Sequence, residues 1–155
     1  MSQIVVNRAD VDELDELMAW RMEVLREVFF DSSANAVEQL EKANRQYYSS
    51  ALRDGTHIAC FARKDDEIVG CGGVCLHTEM PSPDNASGRC AYLMNIYTRP
   101  RNRGRGVGGA VVDWLVGEAR SRGAEKIYLE ATAAGRPLYE SAGFTDMRGY
   151  MQLRK

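Results

Sequence analysis

Hydrophobic residues recur along this chain with two periods, one typical of amphipathic helices and one typical of strands. Glycine, proline or short polar residues mark the changes of period and bound the predicted elements. The pattern predicts strands at 4–7, 57–63, 67–78, 89–98 and 126–130, helices at 10–30, 34–52, 107–122 and 136–141, and one or two final strands at 144–147 and 150–153. The order β-α-α-β-β-β-α-β-α-β(-β) indicates an α/β fold with a mixed central sheet and helices on both faces. No repeat or linker interrupts it, so we expect a single domain, residues 1–155.

Local signals refine several of these elements. Asp10 followed by Glu13 has the spacing of a capping box, which predicts the start of the first helix. The run Asp-Ser-Ser at 31–33 breaks the chain and is suited to cap the second helix. Three glycines at 70–73 lie within one long strand, where they indicate a bulge or the close approach of another part of the protein.

Composition and charge then narrow the class of protein. The net charge is −2 at pH 7, so no overall basic field draws the chain to nucleic acid or to a membrane surface. The four cysteines form no C-x-x-C pair, and neither His57 nor His77 has a second ligand at metal spacing. We therefore expect reduced cysteines and no metal. The N-terminal residues lack the basic region and the apolar stretch of a signal peptide, so we expect a cytoplasmic protein.

An arginine-glycine loop follows the strand predicted at 89–98. Its sequence, R-P-R-N-R-G-R-G-V-G at 99–108, leads into the helix predicted at 107–122. Unpaired backbone N–H groups and the helix dipole attract anions to a helix N-terminus, and glycines let a phosphate come close to them. The loop therefore predicts a site for a pyrophosphate group.

Three phosphate-binding patterns can be compared with this loop. Residues 104–109 match G-x-G-x-x-G, and Glu130 ends the next strand, as in a dinucleotide-binding fingerprint. However, residues 99–103 separate the strand from the first glycine, and too little chain follows for the second half of that fold. A P-loop is excluded because no Lys-Ser/Thr follows the glycines. The third pattern, R-x-x-G-x-G, is matched by residues 103–108.

With this third pattern the chain resembles the GNAT-type N-acetyltransferases. The string I-Y-T-R-P-R-N-R-G-R-G-V-G-G-A-V is similar to the acetyl-CoA-binding motif of that family, and G-R-P-L-Y-E-S-A-G-F at 135–144 resembles its second motif. The motifs have the family's order and separation, and the order of elements also matches, so the resemblance covers nearly the whole chain. It implies a GNAT-like fold in which acetyl-CoA lies in a V-shaped opening between the central strand and the strand after the glycine-loop helix.

The resemblance also implies a set of acetyl-CoA contacts. Backbone groups at 96–98 would pair with the pantetheine arm like an added strand, and amides at 103–108 would hold the pyrophosphate. Relatives often place an asparagine near Thr132, where threonine has less reach. The implied cofactor-binding residues are Ile96, Tyr97, Thr98, Arg103, Gly104, Arg105, Gly106, Val107, Gly108, Thr132 and Arg136.

The implied catalytic residues are less well defined by the motifs. Tyr139 matches the tyrosine that often protonates the departing CoA thiolate in the family, with a purely structural core tyrosine as the alternative. Many relatives use a glutamate on the central strand to deprotonate the amine, but residues 89–98 contain no carboxylate. Glu79, Glu130 and Asp31 are the substitutes that we consider, without ranking them.

Two functions follow from these observations. The first is an N-acetyltransferase that transfers the acetyl group of acetyl-CoA to a primary amine of a small molecule or a peptide by direct attack. The second is a non-catalytic acyl-CoA-binding or sensor domain on the same fold. A thiol nucleophile at Cys71 or Cys75 is not needed for direct transfer, and RNA binding by the short basic loop lacks interleaved aromatics. We expect no nucleic acid or membrane partner, and a homodimer remains open.

Overall fold

A computed structural model describes residues 2–28 and 33–155, and its centre is a five-stranded sheet in the order β1-β2-β3-β4-β5. The strands are β1 (Val5–Ala9), β2 (His57–Lys64), β3 (Glu67–Thr78), β4 (Arg89–Thr98) and β5 (Lys126–Leu129). The helices are α1 (Leu14–Val28), α2 (Ala34–Asp54), α3 (Val107–Ser121) and α4 (Arg136–Ser141), with 3₁₀ turns at Val11–Glu13 and Pro100–Asn102. Neighbouring strands are antiparallel except β4 and β5, which are parallel. This mixed sheet confirms the predicted fold class.

The helices cover both faces of the sheet and bury a separate apolar cluster on each. On one face, Trp20 of α1 and Tyr48 of α2 pack against Phe61 of β2, with the rings of Trp20 and Phe61 6.1 Å apart. On the other face, Val111 and Leu115 of α3 are fully buried against the sheet. Burial of these apolar side chains on both faces supplies the main driving force for folding.

The glycines of β3 allow α3 to lie unusually close to the sheet. A Cβ atom at Gly72 would be 2.5 Å from Cγ1 of Val111, and one at Gly70 would be 2.7 Å from Cγ1 of Val107. Gly73 faces the other side, where a Cβ would be 2.6 Å from Nε2 of His57. The predicted close approach is therefore confirmed, and the strand pairing is also irregular between Cys71 and Gly73.

The predicted capping box at the start of the first helix was wrong. Neither Asp10 nor Glu13 makes a side-chain bond to the helix start, because each side chain is engaged by an arginine. Asp10 pairs with Arg8 at 3.0 Å and Glu13 with Arg63 at 3.2 Å. Ser33, in contrast, caps α2 as predicted by accepting a hydrogen bond from the backbone N–H of Ala36. The other two predicted capping residues, Asp31 and Ser32, lie outside the described residues, as does the predicted end of the first helix at 29–30.

The final strands predicted at 144–147 and 150–153 are not formed in the structure. Asp146 is held against α4 by Arg136, with a distance of 2.6 Å between the charged groups. Gly149 has a φ of +84°, which turns the chain, and Met151 is 98% exposed. Phe144 packs against the apolar cluster under α3, but Met151 and Leu153 lie in water, so the alternation that predicted strands is not used in a sheet. Within the described part of the chain, no helix is both long and apolar enough to span a membrane.

Candidate active site

β4 and β5 separate part-way along their length and leave an opening in the sheet. The two strands pair from Cys90 with Lys126 to Leu93 with Leu129, where β5 ends. β4 continues to Thr98, paired with β3 on one side and without a strand partner, in the described chain, on the other. The backbone groups at 94–98 on this free edge are available to an extended ligand, as at any sheet edge that accepts an added strand.

A bulge in β4 lies beside this opening. Cys71 of β3 faces Tyr97, whereas Gly73 faces Met94, so β4 has one more residue than β3 over this stretch. Asn95 lies within the bulge and has a φ of +56°, in the left-handed region that few non-glycine residues adopt. Bulges re-aim backbone groups, and this one stands next to the point where the two strands part.

The glycine loop brings a helix N-terminus to the open end of β4. Gly104 and Gly106 have φ values of +72° and +83°, and a Cβ at either position would meet no atom of the described residues within 4 Å. Gly106 is the N-cap of α3, no side chain among residues 2–28 and 33–155 caps the helix there, and its first turn contains no acidic residue. The first amides of α3 thus face open space with the positive end of the helix dipole behind them. This arrangement can bind a phosphate.

The four arginines of the loop are not equivalent. Arg99 and Arg103 reach back to α1, where the guanidinium of Arg99 lies 4.1 Å from the centre of the Trp20 ring. Arg103 also donates to the carbonyl of Thr98 at the end of β4. Their carboxylate partners are Glu23 for Arg99, Glu67 for Arg101 and Glu27 for Arg103. Arg105 is exposed and, among the described residues, has no ion-pair partner. The structure therefore leaves Arg105 as the side chain available to an anion at this loop.

Tyr139 lies on α4, next to the loop helix. Leu138 contacts the start of α3, since a Cβ at Gly108 would be 2.8 Å from Cδ2 of Leu138. Tyr139 is half-buried, its ring packs 6.2 Å from that of Phe144, and burial raises the pKa of its hydroxyl. It also lines a cavity of about 450 Å³ bounded by α3, β5 and α4. A protonated phenol near an opening of this kind can act as a proton donor.

Thr132 and Arg136, like Arg103 above, are predicted cofactor residues that are engaged within the protein. Thr132 accepts a hydrogen bond from the amide of Gly135 through its hydroxyl oxygen at 3.1 Å, which shapes the turn before α4. Arg136 pairs with Glu140 at 3.1 Å and with Asp146 at 2.6 Å. Both side chains therefore hold α4 and the chain after it in place, and neither guanidinium nor hydroxyl is free of intramolecular partners.

Glu79 follows β3 and is held in a polar cluster. Lys126 contacts it at 2.9 Å, and His77 and Cys90 each lie 3.2 Å from its carboxylate. Hydrogen bonds from Lys126, Cys90 and His77 lower the pKa of the Glu79 carboxyl to about 2. A carboxylate with so low a pKa is a weak base near neutral pH. A ring nitrogen of His77, a carboxylate oxygen of Glu79 and the sulfur of Cys90 are possible metal ligands that lie within 4.8 Å of one another. The ammonium of Lys126 is the cation that lies beside them.

Glu130 lies at the end of β5, where the opening in the sheet begins. It is exposed and has no ion-pair partner in the part of the chain that the structure describes. Burial and then the charge of Glu130 raise the pKa of Tyr92, so the two groups lie near each other. Tyr92 and Tyr128 are cross-strand neighbours with ring centroids 5.0 Å apart. Asp31, the third substitute base that we considered, lies outside the described residues.

Tyr92 and Tyr128 form part of a surface that the sequence analysis did not identify. Ala91 and Leu93, on either side of Tyr92, pack toward α3. Because side chains alternate along a strand, Tyr92 faces the side on which α1 and α2 lie. The period-2 pattern of β4 and β5 is the sequence signal that places the two tyrosines on this face.

The cysteines are not arranged for catalysis. All four are free thiols, and Cys60, Cys71 and Cys90 are buried. Burial raises the pKa of the Cys71 thiol to about 12, which disfavours the thiolate that a nucleophile requires. Cys60 and Cys71 thus serve as buried core residues of β2 and β3, whereas Cys90 also contacts the carboxylate of Glu79.

Comparison with known proteins identifies the class to which this fold and loop belong. The sequence model of the acetyltransferase (GNAT) family matches residues 14–144, and the chain belongs to that family. The match covers both the loop at the start of α3 and the α4 segment. No protein with a curated description matches the sequence.

Solved structures from several organisms share the fold. A predicted acetyltransferase from Clostridium acetobutylicum, crystallised with acetyl-CoA, is 26% identical with a TM-score of 0.87, covering 98% of this chain and 96% of that one. A GCN5-related N-acetyltransferase from Ralstonia eutropha JMP134 is 22% identical with a TM-score of 0.83, covering 98% and 99%. Glucosamine-6-phosphate N-acetyltransferase from Arabidopsis thaliana is 16% identical with a TM-score of 0.71, covering 98% of each chain.

Proposed function

We propose that this protein is an acetyl-CoA-dependent N-acetyltransferase that acts on a primary amine of a small molecule or a peptide by direct transfer. The observation that carries the proposal is the meeting of an uncapped, glycine-lined helix N-terminus with the free edge of β4. The first suits a pyrophosphate, and the second suits an extended arm that carries amide groups. Coenzyme A joins these two chemical features in one molecule.

The residues at the opening fit such a ligand. Amides of Val107 and Gly108 can bind the pyrophosphate, because Gly106 leaves the space in front of them open. Arg105 supplies a positive charge that no carboxylate of the described residues matches. The backbone at 96–98 can pair with the pantetheine arm. When bound, acetyl-CoA supplies a thioester whose carbonyl carbon accepts the amine.

The protein's own groups then have distinct roles in the transfer. Glu130 accepts a proton from the acceptor ammonium, directly or through water, because an ammonium nitrogen has no free electron pair for attack. A backbone N–H at the bulge of β4 donates to the oxygen on which negative charge develops. Tyr139 donates its proton to the leaving thiolate, whose charge an apolar cleft would otherwise destabilise.

The relative from Clostridium acetobutylicum supports the same assignment, because it is 26% identical to this chain and its structure contains acetyl-CoA.

Two measurements test the proposal. Acetyl-CoA should raise the melting temperature of the protein, and a panel of primary amines should trigger release of the CoA thiol. Tyr139→Phe should lower kcat about 100-fold with little change in acetyl-CoA affinity, whereas Tyr150→Phe, which alters an exposed tyrosine, should leave both unchanged. Failure of acetyl-CoA to bind contradicts the proposal at its first step. Binding without turnover of any amine would instead support the non-catalytic acyl-CoA sensor.

A further inference from the structure

Arg21 on α1 differs from every other half-buried arginine in the described residues. Arg63, Arg99 and Arg122 are also half-buried, and each lies within 3.3 Å of a carboxylate. Arg21 has no carboxylate within ion-pair distance among residues 2–28 and 33–155. Partial burial of a guanidinium without a counter-ion is costly, so folding alone does not favour leaving the charge of Arg21 unmatched.

Neutral groups orient the Arg21 guanidinium without cancelling its charge. Its Nε donates to Oδ1 of Asn44 at 2.9 Å, and its Nη1 donates to Oδ1 of Asn95 at 3.1 Å. Each asparagine is fixed in turn through its amide nitrogen, Asn44 by the carbonyl of Leu40 and Asn95 by the hydroxyl of Tyr48. The Nη2 group makes no hydrogen bond within the described residues. Its N–H groups are therefore left to a ligand, and a carboxylate suits them because a guanidinium can bind a carboxylate through two parallel bonds.

The position of Arg21 relates it to the transfer site. Asn95 is the bulge residue of β4, next to the point where β4 and β5 separate. Asn95 contacts Tyr48 of α2 and Arg21 of α1, so its side chain lies on the face covered by those helices. The opposite face is filled by the apolar side chains of α3. An acceptor approaching the opening from the α1 and α2 face therefore meets the positive charge of Arg21.

We propose that Arg21 binds a carboxylate of the acceptor, so that the substrates are amines that carry a carboxylate a few bonds from the reactive nitrogen, as amino acids do. This inference rests on the proposed N-acetyltransferase function and specifies its substrate class. Arg21 holds the acidic end of the acceptor, and Glu130, at the end of β5, receives the proton of the ammonium end. Opposite charges at the two ends of the site also favour one orientation of a zwitterionic acceptor.

The test compares acceptors that differ only in the carboxylate. Tyrosine, histidine and tryptophan are each assayed beside the amine that lacks the carboxylate (tyramine, histamine and tryptamine) and beside the neutral amino acid amide. The wild-type protein should give a higher kcat/KM for at least one acid than for its amine and amide. Arg21→Met should reduce the ratio of acid to amine about 30-fold, mainly through KM, because a charge-assisted bidentate contact is lost.

Controls separate binding from a structural role. Arg45→Met removes an arginine of α2 whose partner, Asp15, is 93% exposed, and it should leave the ratio unchanged. Arg21→Lys keeps the charge without the flat edge and should give an intermediate ratio. If Arg21 only joined α1 to β4, its loss would lower turnover of acids and amines equally.

Failure of this inference can be distinguished from failure of the proposed N-acetyltransferase function. Acetylation of the amines and amides with no preference for any acid overturns the inference and leaves the N-acetyltransferase assignment in place. Lack of acetyl-CoA binding overturns both. The comparison of acids with amines uses the wild-type protein, so it decides the inference even if the Arg21 variants do not fold.

Discussion

Replacement of Gly106 by alanine tests whether the loop at the start of α3 holds a phosphate. Gly106 has a φ of +83°, and a Cβ there would meet no atom within 4 Å in the part of the chain that the structure describes. The only cost to folding is therefore the left-handed backbone, about 1–2 kcal/mol for an L-residue. For a domain of this size, that cost lowers the melting temperature by about 2 to 8 °C. The new methyl group projects into the space that the proposed pyrophosphate needs.

Gly55 offers a matched control for the same backbone strain. It ends α2 with a φ of +80°, and a Cβ there would also meet nothing within 4 Å. Gly55 lies two residues before β2, at the end of the sheet opposite to the glycine loop. At the rise per residue of a strand, the two positions are about 20 Å apart. Gly55→Ala should therefore lower the melting temperature by a similar amount while leaving ligand binding unchanged.

The assay measures acetyl-CoA affinity by calorimetry and stability by thermal unfolding for both variants. Loss of even one charge-assisted hydrogen bond to a phosphate costs about 1.5–3 kcal/mol, so Gly106→Ala should weaken binding at least tenfold. Equal affinities in the two variants, at equal loss of stability, would refute the assignment of this loop to the pyrophosphate.

Other predictions concern packing, pH and the proton acceptor. Gly72→Ala in β3 should destabilise the protein by about 1–3 kcal/mol in denaturant unfolding, because the new Cβ overlaps side chains of α3. Gly117→Ala, at an exposed position of α3 itself, should instead stabilise the protein by about 0.5–1 kcal/mol. Burial lowers the pKa of His57 from 6.5 to about 4, so the unfolded chain binds a proton at this imidazole more readily than the folded protein does. The stabilisation that is present above pH 6.5 is therefore lost on acidification, and the free energy of unfolding should fall by about 2 kcal/mol between pH 7 and pH 5. The fall should be smaller in His57→Gln. Glu130→Gln should reduce kcat at pH 7 strongly, whereas Glu79→Gln, which removes a weak base, should change kcat little; the opposite result would move the base to Glu79.

Elements defined by local signals were predicted accurately. The bounds of β3, β4 and α4 agree with the structure residue for residue, because tight turns and a clear period mark both ends. The capping box at Asp10 and Glu13 failed because arginines at 8 and 63 compete for the same carboxylates. Nothing in the local spacing reveals that Glu13 pairs with Arg63, 50 residues away.

The residues of the candidate site likewise differ in how far the sequence alone predicts them. The glycine loop and Tyr139 were accessible to sequence reasoning because a short motif contains them. The cluster of Arg21, Asn44 and Asn95 was not accessible in this way. Asn44 and Asn95 are 23 and 74 residues from Arg21 in the sequence, and the three residues meet only when α1, α2 and β4 pack together. The bulge that brings Asn95 into the cluster depends on a register shift between β3 and β4, which no single strand's pattern specifies.

The ion pairs of the loop also determine how a ligand finds it. Three of its four arginines are matched by carboxylates on α1 and β3, so at a distance the loop presents close to one positive charge rather than four. Long-range attraction speeds association only when the field extends beyond the first few ångströms of solvent. Capture of a polyanion such as CoA should therefore proceed at an ordinary diffusional rate that changes little with ionic strength. The helix amides and Arg105 would act after contact, on how long the ligand stays.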